Sequence, residues 1–247
     1  MTKKIHFIAD VHLLPGPCSR NSTFNEYIRN LPAEEVSRLL ILGDLFETWY
    51  SDSPLLHETY RETLEALEGA ANRGIEVDFT PGNRDFLFGE GTEKERFSFI
   101  RFHEGPILLR QDEQTILATH GDELCVGDTG YRLWRWFSRR PIVKGTFRRC
   151  PEWLKRRLAE RLSEAGARAV DLKPPKAFEI PDSVYENLIR NGCDTVIHGH
   201  IHREEIRNYP ESGGVVRTIS DWISKPNALV YNSEDDFFTV QSLYYNR

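Results

Sequence analysis

Leu39-Leu40-Ile41-Leu42-Gly43-Asp44 sets four aliphatic residues in a row ahead of a glycine and a carboxylate. An unbroken apolar run of this length reads as a strand buried on both faces, as in a parallel sheet. Gly43 lets the backbone turn sharply. Asp44 is thereby expected at the carboxyl end of the strand, the rim where open α/β sheets build their sites.

Four further runs repeat the pattern. Lys4 to Ala9 leads into Asp10-Val11-His12, and Ile75 to Thr80 into Pro81-Gly82-Asn83-Arg84-Asp85. Thr115 to Thr119 ends at His120, and Asp194 to Ile197 leads into His198-Gly199-His200-Ile201-His202. Helices are expected over Asn21–Leu31, from a Ser53 cap and Pro54 through Leu56, Tyr60, Leu64, Leu67 and Ala71 to a stop at Gly74, and over Thr92–Phe102. Strands alternating with helices imply an α/β fold. The tail (Val215–Ser220, Ala228–Tyr231, Phe237–Leu243) is strand-rich and suggests a second sheet packed on the first.

Between His120 and Asp194 the strand rhythm lapses. Tyr131–Phe137 and Glu152–Val170 read as helices, the second with Trp153, Leu154, Leu158, Leu162 and Ala165 along one side. This segment is read as a helical cap insertion, at roughly 126–178, in a single domain spanning 1–247.

The 247 residues, 39% hydrophobic and 28% charged, suit one globular domain with an insertion. No apolar run approaches the roughly 18 residues of a membrane span. Met1-Thr2-Lys3-Lys4 passes straight into a strand pattern, which points to a cytoplasmic protein. The four cysteines lack zinc or redox spacing, so reduced thiols are expected. Net charge is −6, yet Arg132 to Arg168 carries twelve Arg or Lys against three Glu, leaving about −15 for the remainder. Such a segment either faces an anionic partner or is a solvated basic face. The acidic remainder argues against extended nucleic-acid binding.

The strand ends together offer Asp10, His12, Asp44, Asn83, His120, His200 and His202. Singly, an Asp or Asn at a strand end caps a turn, and a His there hydrogen-bonds. Collected on one rim, oxygen and imidazole donors without a thiolate suit Mn²⁺, Fe²⁺ or Zn²⁺ in a site that keeps water. Residues i and i+2 on extended backbone point to the same side, so Asp10/His12 and His200/His202 can each reach a common centre. Four of the eight histidines fall in this set. His6, His57 and His103 are read as structural, and His198 as a core residue behind the ligands.

The series Asp10-Val11-His12, Gly43-Asp44, Gly82-Asn83-Arg84-Asp85, His120 and Gly199-His200-Ile201-His202 resembles the calcineurin-like metallophosphoesterases. The resemblance implies a two-sheet β-sandwich flanked by helices. It implies two divalent ions, manganese first among them, with Asp10, His12, Asp44 and His202 on one and Asp44, Asn83, His120 and His200 on the other. Many members carry a His where this chain has Arg84, and that His protonates an alkoxide leaving group. Arginine stays charged and cannot act as a general acid near neutrality. A phosphate leaving group, with a second pKa of about 6, needs no proton. Arg84 therefore favours a phosphoanhydride, its guanidinium neutralising the transferred phosphoryl group; pairing with Asp85 is its alternative role.

Phe7 to Leu13, Ile41 to Glu47, Gly82 to Leu87, His120 to Cys125, Ile197 to Arg203 and Asp221-Trp222 are similar to the UDP-2,3-diacylglucosamine pyrophosphatases of the lipid A pathway. That likeness implies hydrolysis of UDP-2,3-diacylglucosamine to UMP and lipid X (2,3-diacylglucosamine 1-phosphate) by a metal-bridging hydroxide. Asn83, Arg84 and His120 are the implied catalytic positions, and Asn83, Arg84, Asp128, Lys176 and His200 the substrate contacts, with Lys173 an alternative to Lys176. The nucleotide-lipid would place its acyl chains near Trp134, Trp136, Phe137, Phe147 and Trp153, unless these form the cap's own core. The nearby arginines would rest on an anionic membrane surface. The alternative is hydrolysis of another nucleotide diphosphate derivative or a phosphodiester.

Overall fold

The protein is described by a computed structural model covering residues 3–111, 114–172 and 179–244, without the side chains of 163–172. Its first half alternates as expected. Strand β1 (Lys4–Ile8) leads through helix α1 (Ser19–Arg29) to β2 (Val36–Leu42), and α2 (Pro54–Thr59) and α3 (Arg61–Asn72) precede β3 (Glu76–Thr80). A short turn of helix α4 (Glu93–Arg96) then gives way to β4 (Ile100–Phe102), β5 (Ile107–Gln111) and β6 (Gln114–Thr119). Three helices follow: α5 (Thr129–Ser138), α6 (Pro141–Arg149) and α7 (Glu152–Leu172). The chain closes with α8 (Asp182–Arg190), β7 (Thr195–His198), β8 (Glu205–Tyr209), β9 (Gly214–Thr218), β10 (Asn227–Asn232) and β11 (Phe237–Ser242).

The strands form two sheets, ordered β11-β10-β1-β2-β3-β4 and β5-β6-β7-β9-β8. β1 through β4 run parallel, as do β6, β7 and β9. The buried run at 39–42 explains the layering through its alternation. Leu39 and Ile41 pack against α1 and α3, whereas Leu40 and Leu42 meet Ile116, Ala118 and Ile197 of the other sheet. Behind the second sheet, Val196 and Val216 pack on Tyr185 of α8. The result is a helix–sheet–sheet–helix sandwich.

The expected second sheet is corrected in its membership. Of the tail, β10 and β11 join the first sheet, where β10 pairs antiparallel with β1, and only β9 lies in the second. The helix expected from Ser53 does start there, the Ser53 hydroxyl accepting from Leu56 N at 3.2 Å. It breaks at Tyr60, whose ring is buried and whose hydroxyl donates to Leu13 O. The expected helix over Thr92–Phe102 shrinks to α4, because Phe97 and Ile100 turn into the core and β4 pairs with β3. The segment expected as a cap holds α5, α6 and α7; its residues 173–178 lie outside the described ones.

Candidate metal centre

Parallel strands deliver their carboxyl ends to one rim, and the loops there run alongside one another. Asp10 N donates to Gly43 O, His12 N to Asp44 O and Leu13 N to Leu45 O, carrying the β1–β2 ladder past the sheet. Among the described residues six non-glycine ones have positive φ, and five of these are expected ligands: Asp10, His12, Asp44, His200 and His202, at 50–68°. Left-handed backbone at such residues costs about 1–3 kcal/mol each and persists where the surroundings demand it.

The side chains converge. Asp10, His12 and His202 form one group whose ligand atoms lie within 4.8 Å of one another, and Asp10, Asp44 and His120 form a second. His12 Nε2 faces His202 Nε2 at 3.4 Å, and His202 Nε2 lies 3.4 Å from Asp10 Oδ1. His120 Nε2 lies 3.1 Å from Asn83 Oδ1, 3.2 Å from His200 Nδ1 and 3.7 Å from Asp44 Oδ2. All seven expected ligands are thus brought together, three on loops of the first sheet's β1 and β2, one after β3, and three after β6 and β7.

The donor set fits a pair of cations on three counts. Asp10 Oδ1 is buried without a hydrogen-bond partner. His120 Nδ1–H donates to Leu42 O at 2.9 Å, which leaves the Nε2 lone pair turned toward Asp44 and Asn83. Two pairs of imidazole nitrogens face each other at 3.4 and 3.2 Å, close enough for each pair to converge on one cation. The field agrees. Burial opposes charge on His120, yet Asp44, Asp10 and Asp122 outweigh it and push its pKa up to about 9. His200 goes the other way, to about 4, through burial and the neighbouring His120. Burial also opposes charge on Asp10, but the neighbouring His202 imidazole and the field of His120 hold its carboxyl well below the usual range.

The rim is held from behind by Asp85, which is fully buried. Its carboxylate accepts from Gly82 N at 3.0 Å, Asp44 N at 3.2 Å and Leu45 N at 2.7 Å. Burial, then Asp44, raise its pKa to about 7. Asp85 therefore cages backbone and does not pair with Arg84. Arg84 instead bonds Glu47 Oε1 through NH1 at 2.7 Å, and its own N–H donates to Asp44 Oδ1 at 2.8 Å. Glu47 Oε2 lies 3.2 Å from His12 Nδ1, so one carboxylate touches both a candidate ligand and Arg84. Glu47 stood in a quoted motif, but its role was not legible there: it reaches His12 because Leu13 and Phe46 bridge like strands.

Two glycines are fixed by close approach. A Cβ on Gly82 would stand 2.1 Å from Asp44 Oδ1 and 2.4 Å from Asp44 N, and one on Gly199 would stand 2.2 Å from Asp10 Oδ2. Gly82→Ala must part the β2 and β3 loops. The expected cost is about 1–3 kcal/mol, or a melting point lower by about 2–4 °C per kcal/mol for a chain of this size. A thermal melt checks this, and an unchanged Tm would show that the loops part freely.

The remaining expectations sort cleanly. Asp128 is the N-cap of α5, its Oδ1 accepting from Tyr131 N at 2.9 Å, so that carboxylate is engaged by the helix. Lys173 and Lys176 lie outside the described residues. His6 bonds Tyr27, His103 bonds Asp78, and His198 takes a bond from the Tyr185 hydroxyl at 2.8 Å, all as structural residues. Asp52, His57 and Glu93 form a third group of ligand-type atoms. There Arg96, always a donor, lies 2.6 Å from His57 Nδ1. Nε2 consequently carries the proton and donates between the two carboxylates, which closes the position to a metal. The aromatics of the cap do not form its core: Trp134, Trp136, Phe137 and Trp153 are 39–62% exposed, and Phe147 packs on the main core. None of the described helices is long and apolar enough to cross a membrane.

Comparison with known proteins agrees with this geometry. The profile of the calcineurin-like phosphoesterase family matches residues 3–204. The chain is 34% identical over 235 residues to a UDP-2,3-diacylglucosamine hydrolase of Xanthomonas axonopodis pv. citri, covering 90% of this chain and 93% of that one. It is 30% identical over 246 residues to the Vibrio parahaemolyticus protein of the same name, covering 97% and 98%. Among solved structures, an archaeal phosphodiesterase superposes with a TM-score of 0.52 at 15% identity, over 97% of this chain and 99% of that one, and shares the fold.

Proposed function

The chain belongs to the calcineurin-like phosphoesterase family, and from that membership we propose that it hydrolyses the phosphoanhydride of UDP-2,3-diacylglucosamine to UMP and 2,3-diacylglucosamine 1-phosphate. The observation that carries the phosphoanhydride reading is Arg84, anchored to Glu47 beside the Asp44 loop. The lipid part rests on relatives of that name aligned along nearly the whole chain.

In this reading Asp10, His12, Asp44 and His202 hold one divalent ion, and Asp44, Asn83, His120 and His200 the other, both manganese, with iron or zinc as alternatives. When bound, such a pair polarises the phosphoryl oxygens and makes water nucleophilic at neutral pH. The chain's own residues do the rest. Glu47 fixes one edge of the Arg84 guanidinium, which in this reading faces the charge that grows on the transferred phosphoryl group. Asn83 and His200 orient the phosphate, while the bond from His120 Nδ1 to Leu42 O keeps that ring in one tautomer. The departing phosphate needs no acid, so none has to be supplied by the rim.

The helical segment serves, in this proposal, as a cap on a single domain. Trp136, Ile142 and Trp153 are more than half exposed among arginines. That surface suits acyl chains and peripheral contact with an anionic leaflet from the cytoplasmic side, at about 1 kcal/mol for each basic residue near the membrane.

A substrate panel tests the reading, with products identified by mass spectrometry. UDP-2,3-diacylglucosamine should be cleaved to UMP faster than cyclic nucleotides or p-nitrophenyl phosphate; the reverse order would favour another nucleotide diphosphate or a phosphodiester. On the lipid substrate, Arg84→Ala should lower kcat/KM by about 10²–10³-fold, the size of one lost transition-state donor. Arg84→Lys should recover little, since a point charge cannot reproduce the guanidinium fork. A loss under tenfold would remove Arg84 from the mechanism.

A further inference from the structure

Helix α5 lies over the rim, yet it is not held there by apolar burial. Leu133, Trp134, Trp136 and Phe137 are all exposed, and Ser138 is its only buried residue. What faces the rim is a polar stripe at i, i+4 and i+8: Tyr131, Arg135 and Arg139. All three reach one oxygen. Asp122 Oδ2 accepts from the Tyr131 hydroxyl at 2.5 Å, from Arg135 Nε at 2.7 Å and from Arg139 NH2 at 3.3 Å.

Asp122 is fully buried and sits two residues beyond His120. Arg139 NH2 also donates to Gly82 O at 2.9 Å, next to Asn83. The Tyr131 ring stacks on His200, with centroids 6.3 Å apart and planes at 30°. One helix face thus touches the loops that carry Asn83, His120 and His200. Other polar ties of the cap, Lys144 to Glu90 and Ser51 to Glu152, end on partly exposed carboxylates, whereas Asp122 is fully buried. A charge-assisted network on a buried carboxylate is the stronger and more geometry-demanding tie.

We propose that Asp122 is a positioning residue: a buried latch that seats helix α5 on the metal centre and so sets where the cap presents its substrate-binding surface. Asp122 touches no reacting atom in this account. It acts through Tyr131, Arg135 and Arg139, whose side chains it draws into one register against two rim loops. The inference builds on the proposed hydrolase reading for its kinetic consequence, whereas the seating of the helix stands on geometry alone.

The test uses the full chain and two variants, Asp122→Asn and Arg139→Gln, followed in two ways. Hydrogen exchange reads the seating directly. Amides of 129–138 should exchange at least tenfold faster in both variants, while those of β1 and β2 keep their rates. Steady-state kinetics reads the consequence: KM for UDP-2,3-diacylglucosamine should rise about tenfold or more, with kcat less affected and bound manganese unchanged. Unaltered exchange over 129–138 in both variants would overturn the latch. So would a fall in kcat with loss of bound metal at unchanged exchange, because Asp122 would then serve the His120 loop and not the helix. If the unsubstituted chain fails to cleave the lipid nucleotide, the hydrolase reading falls, and the exchange rates still decide the latch.

Discussion

Asp44→Ala will lower turnover of UDP-2,3-diacylglucosamine by about 10³-fold or more while leaving the chain folded. Asp44 is the carboxylate proposed to be common to both ions. Lewis-acid stabilisation of the transition state is worth several kcal/mol, and each 1.36 kcal/mol is about tenfold in rate. The fold should survive for a reason visible at the rim. Asp44 and Asp85 are buried neighbours of like charge, and burial with Asp44 raises Asp85 to about 7. Removing Asp44 relieves that repulsion, and Asp85 keeps its bonds from Gly82 N and Leu45 N. Asp44→Asn, which preserves an acceptor for Arg84 N–H, should be as inactive and at least as stable. Steady-state assays with elemental analysis and a thermal melt check both variants. Activity above a tenth of the original, with the metal content unchanged, would reject Asp44 as the shared ligand.

Stripping divalent metal with a chelator should abolish hydrolysis and lower the melting point together. A ligand present at about 1,000 times its Kd stabilises the native state by about 4 kcal/mol. In a chain of this size that corresponds to a Tm shift of about 8–16 °C. The metal-free rim keeps its costs unrelieved: Asp10 Oδ1 buried without a partner, and five residues on left-handed backbone. Calorimetry of the chelated protein, then of the same sample with manganese restored, measures the effect. An unchanged Tm with full activity in chelator would dismiss the metal reading altogether.

The candidate metal centre is readable from sequence because its signal is local. Each candidate ligand follows an apolar run, and a strand's carboxyl end is fixed by that run alone. The spacing of Asp10 to His12 and of His200 to His202 added the side on which each pair falls. What escaped reading depended on partners distant in the chain. Tyr60 breaks a continuous helical pattern because its hydroxyl finds Leu13 O. β4, three residues long, is a strand only by pairing with β3. The sheet containing β10 is decided by its contact with β1, some 220 positions earlier. α6 starts at Arg140-Pro141, a helix-start signal that the strand rhythm on either side does not reveal. The stripe Tyr131, Arg135 and Arg139 was equally in view, but its meaning depends on one buried carboxylate that no local pattern marks.

Because the rim draws on both sheets, its completion has a timetable during synthesis. Asp44 leaves the ribosome 158 residues ahead of His202, a wait of roughly 8–32 s at about 5–20 residues per second. β1 must wait longer still for β10, its antiparallel neighbour from the far end of the chain. A nascent chain therefore holds Asp10, His12, Asp44 and Asn83 before His120, His200 and His202 are made. Hydrolytic power is withheld until His202 and β10 have been made, so a product terminated before them is inert and not a stray phosphoesterase.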